Sequence, residues 1–327
     1  MKSEHLKTFL TILLCCLLGA CSAPTRVIFD TDLDSDVDDV QALAMLHAYE
    51  KKGLIDLSAV IVTSRDKYAP GCADAINTFY GNGDTPVGFL NNGKSLKHFS
   101  KYTKEISEEF PHDSGSAESM PTALKVYRKT LSESPDNSVV LVTVGHLSSL
   151  QQFLQSPPDD ISPLSGKELA EKKIKKWLCM GGTFPKGKEA NFFRPDPAST
   201  VYSLDNWDKE VVFCGWEVGK EILTGGEYLK ANLAKDNPVY RGFELYNNFA
   251  GRPAWDQVAV MLLDEKASSK YFENVSDGYV KVSADGSNEW IAEPQENKKH
   301  SYVKIKPEVS GDSIAREMDE LILNLTE

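Results

Sequence analysis

Polar and apolar positions follow two alternating periods along most of this chain. Short apolar runs, of the kind a strand covered on both faces shows, are followed by stretches with apolar residues at helical spacing. Val27 to Asp30 reads as a first strand, with a helix from Asp39 to Lys51 after it. Leu57 to Thr63 reads as a second strand, with a helix from Pro70 to Tyr80, and Pro86 to Phe89 as a short third. Pro121 to Ser132 predicts a helix, Ser138 to Val144 a strongly apolar buried strand, and Leu147 the start of another helix. A helix near Glu168 to Lys176 leads into the strand Trp177 to Met180. Asp196 to Asn206 and Val211 to Cys214 repeat the pairing, and Trp255 to Leu263 reads as one more buried helix. Repeated strand–helix units predict an α/β fold, a mainly parallel sheet with helices on both faces.

Two stretches break this rhythm. Asn91 to Ser119 is polar and irregular, which predicts a long loop over a site. In the tail, Tyr279 to Val282, Glu289 to Ala292 and Tyr302 to Ile305 favour β residues with turns between them. They predict a small antiparallel C-terminal β appendage, closed by a helix from Ser313. No linker rich in Pro, Gly or Ser divides the chain, so residues 21–327 read as a single domain.

The N-terminus has a different character. Lys2 and Lys7 precede the apolar run Phe9 to Leu18, which is too short to span comfortably as a mature helix. Leu18-Gly19-Ala20-Cys21 then reads as a lipobox, making 1–20 a lipoprotein signal peptide and Cys21 the site of lipid attachment. Several acyl chains give stable anchoring, so the expectation is a cell-envelope protein tethered outside the cytoplasm, with membrane contact through the lipid only. Cys72, Cys179 and Cys214 remain in the mature chain without metal-type spacing; one disulfide is compatible with an oxidising compartment but not demanded. The formal net charge of -12 argues against a nucleic-acid partner, because no basic stripe exists to neutralise phosphates. Homo-oligomerisation stays open.

The chemistry concentrates at the first strand end. Asp30-Thr31-Asp32-Leu33-Asp34-Ser35-Asp36-Val37-Asp38-Asp39 holds six carboxylates directly after Arg26-Val27-Ile28-Phe29. Like charges this dense repel, and several would protonate unless a cation neutralised them. Ligands of open α/β sheets gather at the carboxyl ends of strands, where this cluster lies. An EF-hand starting at Asp32 would need Gly and Glu where Val37 and Leu43 stand, so that use fails. A phosphatase with Asp30 as phosphorylated nucleophile would use Asp30 and Asp32 as its D-x-D pair, but Asp34 fits that motif poorly and Asp38-Asp39 has no role in it. The remaining use is one hard cation held by carboxylates from different strand ends, for which calcium, with its oxygen-only irregular shells, is best suited. Asp256, in Gly251-Arg252-Pro253-Ala254-Trp255-Asp256-Gln257-Val258-Ala259-Val260, opens an apolar helix as either a cap or a distant ligand.

Taken together, these blocks resemble the inosine-uridine-preferring nucleoside hydrolase family over nearly all of the mature chain. Asp30-Thr31-Asp32 with Asp38-Asp39-Val40-Gln41-Ala42-Leu43 is similar to the family's N-terminal aspartate signature. Leu141 to Leu150, Glu189-Ala190-Asn191-Phe192 with Asp196-Pro197-Ala198, and Trp255 to Val260 resemble its later blocks in the same order. The resemblance implies calcium held by Asp32, Asp39, Asp256 and the Val144 carbonyl, with Asp38 as general base toward the attacking water. It implies ribose hydroxyls on Glu189 and Asn191, a nucleoside or related riboside as substrate, and release of free base through an oxocarbenium-like transition state.

The chain departs from the family pattern at several points, among them one extra residue between Asn191 and Asp196. Trp255 stands where many members place a leaving-group His; its ring can stack on a base but cannot usefully donate a proton. His98 and His112 of the polar insertion, and His146, which replaces a common proline, are the other imidazoles considered for the site. Thr63-Ser64-Arg65-Asp66 replaces a glycine-asparagine turn, and Asp34 replaces a glycine, which predicts a left-handed backbone there. Loss of the usual acid leaves a calcium-held riboside-binding protein without turnover as the alternative.

Overall fold

The computed structural model describes residues 23–325; the lipobox and Cys21 lie outside them. The strands are β1 (Thr25–Thr31), β2 (Ile55–Val62), β3 (Val87–Phe89), β4 (Val139–Thr143), β5 (Ile174–Met180), β6 (Lys186–Gly187) and β7 (Glu210–Cys214). They continue as β8 (Leu223–Thr224), β9 (Arg252–Pro253), β10 (Phe272–Val275), β11 (Tyr279–Val282), β12 (Asn288–Ile291) and β13 (His300–Ile305). The first seven helices are α1 (Asp38–Lys51), α2 (Ala69–Phe79), α3 (Thr103–Glu109), α4 (Ala123–Glu133), α5 (Ser148–Leu154), α6 (Gly166–Lys173) and α7 (Ala190–Phe193). Then come α8 (Pro197–Asp205), α9 (Trp216–Gly219), α10 (Glu227–Asn232), α11 (Pro238–Asn247), α12 (Trp255–Met261), α13 (Glu265–Tyr271) and α14 (Gly311–Leu323).

The central sheet has eight strands in the order β10-β13-β7-β5-β4-β1-β2-β3. All of its pairings are parallel except β10 with β13. Alternate side chains enter two apolar cores. Val27 and Phe29 point with α1, α2, α12 and α14 into one, and Ile28 points with α4, α5 and α6 into the other. Burial on both faces explains why these strands read as continuous apolar runs.

The first helix has no solvent-facing side over most of its length. In α1 every residue from Asp38 to Tyr49 is buried, because the sheet covers one side and α12 and α14 the others. Its two interior polar side chains are satisfied. Gln41 donates to Asp319 on α14 (2.9 Å), and His47 donates from Nε2 to Asn77 (2.9 Å) while accepting from Asn82 (3.0 Å).

The tail also differs from expectation. Only β11 and β12 form the small antiparallel sheet, with β6 as third strand. Tyr302 to Ile305 belongs to β13, which lies parallel to β7 in the central sheet, and α14 packs on α1 in the main body. Residues 91–119 are not wholly irregular, since α3 forms inside them with Thr103 and Ile106 buried. The helix expected through Lys176 ends at Lys173, and Ile174 to Lys176 already pair as strand. Cys72, Cys179 and Cys214 are free buried thiols. Among the described residues, no helix is long and apolar enough to cross a membrane.

Candidate active site

The site forms where β1, β2, β4 and β5 end together. A cavity of about 580 Å³ opens there, within the usual range of ligand pockets. Asp32, Asp34, Asp36, Asp38, Asp39, Val144, Glu189, Asn191, Trp255 and Asp256 all line it. Residues 30–39 are thereby sorted, carboxylate by carboxylate, into different tasks.

Asp30 points away from the cavity. Its carboxylate accepts from Thr63 and from Tyr127 (2.5 Å), and burial pushes its pKa up to about 7. An in-line phosphoryl nucleophile must face its substrate, and Asp30 does not line the cavity; this removes the phosphatase reading. Asp34 accepts from Ser64 (2.5 Å) and is also raised to about 7 by burial. The left-handed backbone expected at Asp34 falls on Leu33 instead, at φ 37°. Leu33 has no exposure, and its N–H donates to Asp39 (3.0 Å), so packing and a site contact hold a strained conformation. Asp36 is neutralised by Arg252 and accepts from Tyr246 (2.7 Å).

Three carboxylates remain convergent. Asp38 and Asp39 sit in the first turn of α1 and Asp256 in the first turn of α12, and these two helices pack together. One oxygen of each lies within 4.8 Å of the others. Burial first, and mutual repulsion second, raise Asp38 and Asp256 well above the ordinary carboxylate range, and Asp32 likewise. Asp39 is raised to about 6, with burial opposed by hydrogen bonds from Thr31 and Leu33. Buried carboxylate oxygens this close together fit a hard divalent cation, which takes oxygen ligands and relieves the repulsion. Asp32 lines the same cavity and feels Asp39 as its strongest charged neighbour.

The opposite wall carries the Glu189–Asn191 turn. Glu189 caps α7 and accepts from the N–H groups of Asn191 (2.8 Å) and Gly182 (3.1 Å); burial raises it to about 7. Asn191 donates its amide to the Val144 carbonyl (2.8 Å), fixing both groups at the end of β4. Gly145 follows, and a Cβ there would meet the Asp32 backbone nitrogen at 2.7 Å and its Cβ at 2.9 Å. Gly145→Ala is therefore expected to displace Asp32 and weaken divalent-cation affinity about tenfold or more, read by isothermal titration, with the circular dichroism spectrum unchanged. Unaltered affinity would show that the Asp32 position is not critical.

The imidazoles separate cleanly. His98 pairs with Asp66 (3.2 Å) and His112 with Ser107 and Ser114, and neither lines the cavity. His146 does line it, hydrogen-bonded to Ser148 (3.0 Å), and burial pushes its pKa down to about 4. It is thus neutral at neutral pH. Trp255 donates its indole N–H to the Trp216 carbonyl (2.8 Å) and stacks under the Arg252 guanidinium at 4.8 Å. Phe99, Met180, Arg194, Trp216 and Arg252 also face the cavity, and nothing in the sequence patterns singled them out for it. A signal existed for Met180, which ends a strand, and for Trp216, which follows a strand end and Gly215.

The family model described as inosine-uridine preferring nucleoside hydrolase matches residues 27–314. Among solved structures, a plant nucleoside hydrolase superposes with a TM-score of 0.65 at 16% identity, over 92% of this chain and 98% of its own. The inosine-uridine preferring nucleoside hydrolase of Bacillus anthracis gives 0.64 at 16% identity with the same coverage. The type III effector protein XopQ, complexed with adenosine diphosphate ribose, gives 0.65 at 12% identity over 97% of both chains. No curated protein matches. These likenesses concern the fold, and membership follows from the family match over most of the sequence. The chain belongs to the inosine-uridine preferring nucleoside hydrolase family and is an N-ribohydrolase.

Proposed function

We propose that this protein hydrolyses the N-glycosidic bond of ribonucleosides or related ribosides with calcium as its cation, from a lipid anchor outside the cytoplasm. The main support is the convergence of Asp38, Asp39 and Asp256 within 4.8 Å at a cavity floor. Asp32, Asp39, Asp256 and the Val144 carbonyl would hold calcium, whose irregular shell tolerates this mixed set better than the octahedron of magnesium. When bound, the cation supplies Lewis acidity that makes water a better nucleophile at neutral pH.

In this reading Asp38 takes the proton of the attacking water. It is favoured for the role because burial and the neighbouring Asp39 and Asp36 raise its affinity for a proton, with Arg252 opposing them more weakly. The water oxygen bonds to the anomeric carbon as the C–N bond breaks, and the bond's electron pair leaves with the base, which picks up a proton. Glu189 and Asn191 orient ribose hydroxyls, and the surrounding carboxylates stabilise the positive charge developing on the sugar ring. No imidazolium faces the leaving side, so Trp255 and Trp216 would receive the base by stacking and the proton comes from solvent. XopQ, complexed with adenosine diphosphate ribose, is a precedent for a riboside larger than a nucleoside on this fold.

The missing acid favours one other reading, calcium-dependent riboside capture without turnover. Incubating the mature protein with purine and pyrimidine ribonucleosides, with calcium and then with chelator, separates the two. Calcium-dependent release of free base is expected; calcium-dependent binding with no release would replace hydrolysis by capture.

Anchoring rests on the Leu18-Gly19-Ala20-Cys21 motif. β1 begins at Thr25 and leads toward Asp30, so with lipid on Cys21 the cavity would open at the sheet end remote from the membrane. Metabolic labelling with a radioactive fatty acid is expected to mark the wild type and not Cys21→Ala, which should fractionate as a soluble protein. Equal labelling of both would remove the anchor.

A further inference from the structure

Three guanidinium groups line the cavity, those of Arg65, Arg194 and Arg252. Arg252 is neutralised by Asp36. Arg65 has no acidic or hydrogen-bonding side-chain partner among the described residues, and Arg194 makes no side-chain hydrogen bond or ion pair there, with Glu189 as its charged neighbour. Arg194 is exposed, lying over the Phe193 ring at 5.0 Å. Arg65 is half-buried.

The acid next to Arg65 in sequence is not available to it. Asp66 is buried and turned inward, accepting from the N–H groups of Tyr68 (3.0 Å), Phe99 (2.9 Å) and Ser100 (3.1 Å) and from the Thr103 hydroxyl (3.1 Å). These bonds hold residues 98–103 against the end of β2 and set Phe99 at the cavity wall, 49% exposed. The Thr63-Ser64-Arg65-Asp66 turn therefore leaves a free cation at the β2 side of the cavity, while the two tryptophans stand on the α9 and α12 side.

A riboside entering the cavity strips water from Arg65. A guanidinium desolvated without an acceptor is unfavourable by several hydrogen bonds, so a neutral nucleoside is poorly matched to this wall. A phosphate dianion, whose oxygens accept two parallel bonds from the planar fork of the guanidinium, is well matched. We propose that the substrate is a phosphorylated riboside, with Arg65 binding its phosphate, Arg194 adding charge from the rim, and the base stacked at Trp216 and Trp255. This rests on the riboside reading above and narrows its substrate class.

The test compares inosine with inosine 5′-monophosphate, and uridine with uridine 5′-monophosphate, on calcium-loaded wild type, Arg65→Ala and Arg65→Lys. The wild type is expected to favour the monophosphates by about tenfold or more in kcat/KM. Arg65→Ala should collapse that ratio toward one, and Arg65→Lys should fall between, keeping charge but losing the fork. Nucleosides cleaved equally well or better, with the ratio unmoved in Arg65→Ala, would overturn the inference and leave the hydrolase standing. If no riboside is cleaved, calorimetry with ribose 5-phosphate and ribose decides. Tighter binding of the phosphate, lost in Arg65→Ala, would uphold the anion site while the hydrolase reading falls. Equal binding of both sugars would overturn both.

Discussion

Asp38→Asn is expected to lower kcat by about 10³-fold, the scale of a lost general base, while calcium affinity stays within a few-fold of wild type. The amide keeps the shape of the side chain and its place in the first turn of α1 but cannot take a proton. Asn cannot pair with Arg252 as an anion, yet Arg252 remains neutralised by Asp36, so no uncompensated charge is created. Rapid-quench measurement of base release alongside calcium titration separates the two effects. Near-normal kcat would move the base to another carboxylate that lines the cavity.

Asp256→Asn has the second large effect and acts on two observables of opposite sign. Activity and calcium affinity should both fall to background, since Asp256 is a proposed ligand of the ion, whereas Asp38 beside it is the proposed base. Thermal stability in chelator should rise, because Asp256 is raised first by burial and then by repulsion from Asp38, Asp39 and Asp32. The calcium-induced increase in Tm, which follows ligand mass action, should disappear. A variant with wild-type activity would exclude Asp256 from the site.

The pH dependence of the cation-free protein follows from the same groups. Asp39 is raised to about 6 and Asp34 to about 7, against an ordinary value near 3.8. The folded chain therefore binds more protons than the unfolded chain between those values. Their contribution to stability is full below pH about 4 and is lost as pH rises through about 7. With saturating calcium the ligands are deprotonated by the cation, and the trend in this window should reverse. Melting curves between pH 4 and 8, with calcium and with chelator, check both slopes; parallel curves would show that the cluster does not bind the ion.

Much of the fold was legible because its causes are local. The doubly covered strands announce themselves as apolar runs, since each of their residues meets one of two cores. Less legible were the elements defined by contact. α3 lies in a polar segment and is held by contacts from elsewhere in the chain, packing on α2 and α11, bonding Asp66 through Thr103 and pairing Glu109 with Arg241. β13 has the same alternation whether it pairs within a hairpin or beside β7, and only the partner distinguishes the two. The full burial of α1 depended on α14, nearly three hundred residues away, which no period in α1 encodes.

At the site the division is sharper. By itself the sequence determined that six carboxylates crowd one strand end, that this demands neutralisation, and that Asp256 opens a helix in a related block. Which carboxylates remain for a cation was decided by the tertiary structure. Thr63 and Tyr127 engage Asp30, Ser64 engages Asp34, and Arg252 with Tyr246 engages Asp36, leaving Asp38 and Asp39 to meet Asp256. The reason is physical: a carboxylate's state is set by what lies within a few ångströms of it, and those neighbours come from segments far along the chain. Sequence spacing fixes the charge density of the cluster, and only packing assigns each charge its partner.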